Sequence, residues 1–459
     1  MRNLVFRNLL QLRQNYWFWP SMLTAFALVF GFTLPIIDAY VGISWIRSVG
    51  FLRPTEVEGA RAILTTLAGA ALGVAGVAFS ITILAVSFAS ANYGPRLISN
   101  FMRDRLSQLV LGVFVSTFVY CIAVLATIHT QRQFENDTIQ AFVPQISVMF
   151  ALALTLLSVA ALIVYIHHVP ESINIMNLVA GIGTTLRNSV IRMLDEEDAR
   201  AKEQDKVVDV GARTTRPRRD GDTFIIYTDV AGYLQQLDLK GLRRIGDDKD
   251  LQITITSALG DFLAEREPVM TVHPAEAVND TILGRLKLCF TQGSSRSDLQ
   301  DILFLSDQLV EVLARALSPG VNDPQTAILC LDWLRAGLSV FARRTPAQAS
   351  DDAERVRYTR VTFELMLTRS FRQMRQYIAA DRTVTIHTFD VLADLAIVAV
   401  LPSMVDAIST QIRELAEAAN DSLPSAIARE EVAAACEQAR EKIANSDKFS
   451  AGESSARAS

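Results

Sequence analysis

The sequence predicts a mainly α-helical membrane protein. Four transmembrane helices come first, then a cytoplasmic part with a small, barrel-sandwich-like β-barrel and an α-helical domain. Three observations predict this. Half of the 459 residues are apolar and only 20% are charged, with a mean hydropathy of +0.25. The apolar residues pool before residue 170, in four stretches free of Asp, Glu, Lys and Arg. Beyond that point short β-rich runs give way to helical periodicity. A fully soluble globular enzyme, a disordered chain and a disulfide-stapled secreted domain are thereby excluded. The net charge of −5 gives no bulk electrostatic case for nucleic-acid binding.

The spans run from about Trp17 to Ile37, Ala62 to Ser90, Ser107 to Ile128 and Val143 to Ile166. Each supplies about the 20 apolar residues a helix needs to cross the hydrocarbon core. Tyr16, Trp17 and Trp19 stand where an aromatic belt belongs. The first span reads as an uncleaved signal-anchor, since its apolar run is too long for a signal peptide and no A-x-A site follows. Arg2, Arg7 and Arg13 mark the N-terminus and Arg96, Arg103 and Arg105 the second loop. The positive-inside rule then places both termini in the cytoplasm. His167 and His168 read as interfacial side chains closing the fourth span.

The second span carries Thr65, Gly69, Gly73, Gly76, Ser80, Ser87 and Ser90 on one helical face, with Leu72, Phe79 and Ile83 on or beside it. Two readings stand side by side. Small hydroxylic residues make a wettable pore wall with a hydrophobic constriction. The same residues also let helix backbones approach closely in lipid. The candidate pore-lining set is Thr65, Gly69, Leu72, Gly73, Gly76, Phe79, Ser80, Ile83 and Ser87. No ionisable group lies at depth, which argues against an ion-coupled carrier.

The segment ILTTLAGAALGVAGVAFSITILAVSFASANYGPRLISNFMRDRLSQLVLGVFVSTFVYC (63–121) resembles a bacterial family of polytopic membrane proteins catalogued as domain of unknown function 2254. So do GYLQQLDLKGL (232–242) and FTQGSSRSDLQDILFLSDQLVEVLARALSPGVNDPQTAILCLDWL (290–334). The resemblance implies a polytopic topology and assigns no activity.

After the four-helix domain (1–170), residues 171–221 form a juxtamembrane helix and polar linker. Ile173, Met176, Val179, Ile182, Leu186, Val190, Met193 and Leu194 recur at helical spacing, and Arg213, Arg216, Arg218 and Arg219 follow. Residues 222–274 read as short strands, FIIY, GYLQQLD, LQITITSA and PVMTV. Their order resembles the barrel-sandwich of biotinyl- and lipoyl-type domains, but the carrier hairpin is missing, so no prosthetic group is expected. Residues 275–445 read as helices, including 353–379, 388–400, 403–419 and 423–445, and 446–459 as a disordered tail. Within them LSPGVNDPQTA reads as a helix–loop–helix corner capped at Asn322–Asp323–Pro324. Arg296, Asp298, Asp301 and Arg315 are candidates to converge with Asn322 and Asp323 into a polar cluster that shapes the corner, holds an anion or metal, or bridges subunits.

Cys121, Cys289, Cys330 and Cys436 show no metal-ligand spacing and fit a reducing compartment. No catalytic, nucleotide-binding or metal motif occurs, so neither enzyme activity nor a cofactor is expected. Expected partners are the lipid bilayer and further copies of the chain, with a cytosolic protein as an alternative and no nucleic acid. Two functions follow as expectations: a homo-oligomeric channel- or pore-like protein lined by the second span above a cytoplasmic vestibule, or a membrane-anchored scaffold or sensor.

Overall fold

The structure is a computed structural model that describes residues 17–41, 55–93, 104–130, 132–134, 137–139, 141–208, 222–345 and 355–456. The chain divides into two compact units, Met1–Asn177 and Leu178–Ser459.

The first unit holds α1 (Phe18–Val41), α2 (Val57–Tyr93), α3 (Arg105–Thr127) and α4 (Gln145–Ile173), all four long and apolar enough to cross a membrane. A short hairpin, β1 (Arg132–Phe134) and β2 (Asp137–Ile139), joins α3 to α4. Helix α3 is the centre of the bundle and packs on the other three. Over half of its apolar window (56%) is buried, against 22% for each neighbour. Close approach is written into two glycines. A Cβ on Gly31 of α1 would stand 2.5 Å from Cβ of Ala123, and one on Gly112 of α3 would stand 2.7 Å from Leu23 and 3.2 Å from Cα of Pro20. Ala60, Leu64, Ala68, Tyr120, Val124 and Val148 form one core cluster, and Ala75, Ala78, Val110, Phe114 and Tyr165 another.

Helices α1, α2 and α4 run past the C-terminal ends of their apolar stretches, and α2 and α3 begin ahead of theirs. Asp38, one residue beyond the expected end of the first span, lies inside the last turns of α1 and is buried. At about 1.5 Å per residue, the 37 residues of α2 span about 55 Å, well beyond a hydrocarbon core of about 30 Å.

The second unit begins along α5 (Ile175–Val208), whose Val179, Ile182, Leu186, Val190 and Leu194 are buried. The Arg213–Arg219 cluster lies outside the described residues. An α/β module follows: β3 (Phe224–Tyr227), β4 (Gly232–Leu237), α6 (Leu239–Lys249), β5 (Gln252–Ile255), β6 (Phe262–Leu263), β7 (Pro268–His273), α7 (Asp280–Lys287) and β8 (Phe290–Gly293). Its strands form two separate sheets, ordered β3-β7-β5-β9 and β6-β4-β8. Strand β9 (Val356–Arg357) returns from far along the chain to pair parallel with β5, Ile253 opposite Val356. The expected barrel is therefore corrected: no closed barrel forms. The module also exceeds 222–274, since β8 and β9 lie beyond it. The physical reason is α6. Asp238 caps it by accepting from the Gly241 amide, and Leu242, Ile245 and Gly246 are buried along one face. A helix thus fills the place of a barrel wall, over a core of Leu234, Leu242, Ile253, Met270, Val272 and Leu286.

The rest is helical: α8 (Ile302–Ala316), α9 (Pro324–Ala342), α10 (Phe363–Ile378), α11 (Arg382–Val398), α12 (Pro402–Ser422) and α13 (Ala426–Ala456). Three expected boundaries shift. The helix expected from 353 begins at Phe363, behind the cap Thr362, because 356–357 are strand. The helix expected from 388 begins at Arg382, capped by Asp381. The expected tail is helical as far as Ala456.

Candidate functional site

Three sites follow, one on α2, one at the ends of the first unit and one in the second unit. On α2, small residues form two stripes. Ala60, Ala68, Ala71, Ala75, Ala78, Ala85 and Ala89 are buried against the unit's own helices. Small side chains at this spacing allow close helix contact in lipid. The stripe of Thr65, Gly69, Leu72, Gly73, Gly76, Phe79, Ser80, Ile83 and Ser87 is exposed throughout. Among the described residues a Cβ built on Gly69, Gly73 or Gly76 meets nothing within 4 Å. Ser80 Oγ donates to its own helix at the Gly76 carbonyl, 2.9 Å away. Packing inside the chain is thus done by alanines, and the glycine stripe is left open.

Both ends of the first unit are tied by polar side chains. At one end the Asp38 carboxylate accepts from the amides of Ile146 and Ser147 at 2.9 Å each and from Ser147 Oγ at 2.8 Å. The end of α1 therefore caps the start of α4, where orphan amides need acceptors. Gln145 exchanges two hydrogen bonds with the Thr55 backbone, and Arg61 donates to the Ile128 carbonyl. At the other end Asp104 caps α3 and sits 2.9 Å from Nε2 of His168 on α4. Nearby, Tyr165 donates to the Ala78 carbonyl at 2.6 Å and meets the Thr82 hydroxyl at 2.7 Å.

In the second unit the candidate polar cluster separates into two places. Arg296 donates through Nε to Asp301 at 2.8 Å and through Nη1 to Asp307 at 2.5 Å. Arg369 of α10 grips Asp307 with Nη2 at 2.9 Å and Nε at 3.2 Å, and Gln373 adds a bond at 3.4 Å. Asp301 also caps α8 by accepting from the Phe304 amide, and Arg296 lies over the Phe304 ring. Both carboxylates are buried, but their titrations diverge. Burial raises Asp301 above the usual carboxylate range, and Arg296 only partly offsets it. Burial also pulls Asp307 upward, but the two guanidiniums outweigh it and hold it below that range. Gly260 approaches this network from the β5–β6 turn with φ +87°, and a Cβ there would stand 2.2 Å from Asp301 Oδ2.

Asp298 lies in the loop ahead of the α8 cap. Arg315, Asn322 and Asp323 belong to the far end of α8, about 22 Å away along a 15-residue helix. There Arg315 pairs with Glu311 at 3.9 Å. Asn322 takes a left-handed conformation at φ +49°, and Asp323 caps α9 through the Thr326 amide and hydroxyl. Pro324 occupies the first turn. This half is a helix–loop–helix corner whose cap is Asp323 rather than Asn322.

A cleft of about 280 Å³ lies beside the network. Its walls come from α5, the start of α6, the β5–β6 turn, the loop into α8 and the approach to α10. Among the described residues no group of three His, Cys, Asp or Glu is placed to hold a metal.

The family of predicted membrane proteins described as DUF2254 matches residues 13–394. The chain belongs to that family. It is 28% identical over 375 residues to the uncharacterized proteins Mb1321c of Mycobacterium bovis and Rv1290c of Mycobacterium tuberculosis, covering 78% of this chain and 68% of each relative. No solved structure matches.

In this DUF2254 protein the two shorter family-like strings build particular places. GYLQQLDLKGL is β4, the Asp238 cap and the opening of α6. The string 290–334 is β8, the Arg296–Asp301–Asp307 network, α8 and the Asp323 corner. Sequence reasoning missed Asp307 and Arg369, which complete the network. Asp307 at mid-helix among Leu303, Leu305 and Leu309 was the available signal, because a buried charge requires a partner.

Proposed function

We propose that this protein is a homo-oligomeric, channel- or pore-like protein of a bacterial inner membrane, with α2 facing the neighbouring copies and the shared axis. The observation that carries this reading is the open face at Gly69, Gly73 and Gly76. A glycine inside a helix costs about 1 kcal/mol relative to alanine, and these three meet no neighbour among the described residues. A second copy, or a water-filled axis walled by Thr65, Ser80 and Ser87, supplies one. Leu72, Phe79 and Ile83 are then the apolar constriction. Four spans enclose no path comfortably in one chain, so the reading requires cyclic assembly. The loop arginines support a cytoplasmic second unit, which becomes the vestibule.

Cysteine at Gly76 or Ser80 tests this directly. In native membranes these variants are expected to react with a water-soluble thiol reagent from one side, and unlabelled protein at both positions contradicts a pore. The second reading, a membrane-anchored sensor, is favoured by the cleft in the second unit. It is separated from the first by the mass of the protein in nanodiscs, since a monomer leaves only the sensor.

A further inference from the structure

Three polar side chains of the cleft are already committed to other partners, and most of the rest of its wall is apolar. Gln300 spends its amide on the Leu237 backbone in both directions, at 2.8 and 3.3 Å. Ser257 Oγ donates to the Pro268 carbonyl at 3.0 Å, and Asp301 is held by Arg296 and the α8 amide. Most of the remaining wall is aliphatic, with Leu237, Leu259, Ile302, Leu303, Val361 and Leu365, and Ser189, Tyr358 and Thr359 add to it. A polar group pushed against the aliphatic part of the wall would lose its water and find no partner there. An aliphatic group would cover apolar surface that is now wet, since Leu299 and Leu365 are each about 40% exposed at the opening. The charged lining is of the opposite character: Arg192, Arg360, Glu196 and Glu197 give two charges of each sign, and Arg192 and Glu196, being exposed, form the rim. A polyphosphate meets repulsion from the glutamates, whereas a head bearing one charge of each sign suits a neutral rim. At about 280 Å³ the space is near the small end of ligand sites, which run from about 300 to 1,000 Å³.

We propose that this cleft binds a single-chain zwitterionic amphiphile, with the aliphatic chain inside and the head at the Arg192–Glu196 rim. The inference deepens the sensor reading and is independent of oligomeric state. The chain is recognised by the aliphatic wall whether it arrives as a soluble molecule or from bilayer lipid.

The test uses the full chain in nanodiscs carrying Leu299→Cys at the opening, with decanoylcarnitine below its micelle concentration as probe. Acetylcarnitine, the same head without the chain, is the control. Saturable protection of the new cysteine from a thiol reagent by decanoylcarnitine alone is expected. Adding Leu365→Arg at this half-exposed position, in a variant whose melt matches the parent's, is expected to weaken that protection about ten-fold by placing a charge on the wall. Protection already present before any addition, and lost with Leu365→Arg, also supports the site and assigns its occupant to bilayer lipid. Equal labelling with and without Leu365→Arg under every condition overturns the proposal, as does equal protection by acetylcarnitine. Neither failure bears on the mass measurement that decides the sensor reading itself.

Discussion

At the scale of single residues, Asp301 and Asp307 show how burial and charge separate two like groups. Asp307 is held below its ordinary range by two arginines, so its ionised form stabilises the fold. That contribution is present above the unfolded pKa of about 3.9 and is lost as pH falls through the lower folded value. Asp301 is raised, so the sign reverses: its contribution is greatest below the unfolded value and is lost as pH rises through the folded one. Two outcomes follow for thermal melts of the full chain at neutral pH. Asp307→Asn leaves two guanidiniums around a neutral amide and is expected to cost about 3 kcal/mol, the scale for breaking a buried ion pair. Asp301→Asn keeps a competent helix cap and is expected to cost under about 1 kcal/mol. Gly260→Ala, with φ +87° and a carboxylate oxygen 2.2 Å from the new Cβ, is expected to cost more than about 1 kcal/mol. The thiols give a further check. Burial pushes Cys289 up to about 11 and raises Cys330 and Cys436 as well. The native protein at pH 8 is therefore expected to resist thiol reagents until it is unfolded, which makes it a quiet background for introduced cysteines.

At the scale of elements, the four spans were legible because twenty apolar residues without charge have few other uses. Their ends were not, because the sequence does not show that Asp38 reaches across to cap another helix. Asp38→Ala strands two buried amides at the start of α4 and is expected to cost about 1–2 kcal/mol in melts of the purified protein. Helix α6 was hidden inside a run read as strands. Its Leu242, Ile245 and Gly246 make a single short apolar face among charges, and the neighbouring hydrophobic runs set the impression of a sheet. Strand β9 was hidden for another reason: two residues pairing with a partner a hundred positions earlier leave no local period. On α2, alanine counts as merely apolar in a sequence, so the stripe that packs looked ordinary and the stripe that does not pack stood out. Gly31→Val is expected to destabilise the bundle by about 1–3 kcal/mol through overpacking against Ala123. Gly73→Ala, with open space and a better helix former, is expected to leave the protomer's melt unchanged or higher.

At the scale of the whole molecule, the open face of α2 is where the account meets its test. This 37-residue helix turns its glycines away from the described helices of its own bundle, and a second copy is their proposed partner. The most direct measurement is cross-linking of Gly76→Cys by a short bifunctional thiol reagent in native membranes, read as a ladder on a denaturing gel beside mass photometry of the nanodisc-embedded protein. A ladder ending at the mass of a closed ring, absent when cysteine replaces buried Ala75 instead, is the expected result. A protein that stays monomeric, with Gly76→Cys cross-linking no more than Ala75→Cys, would contradict the assembly and with it any pore lined by α2.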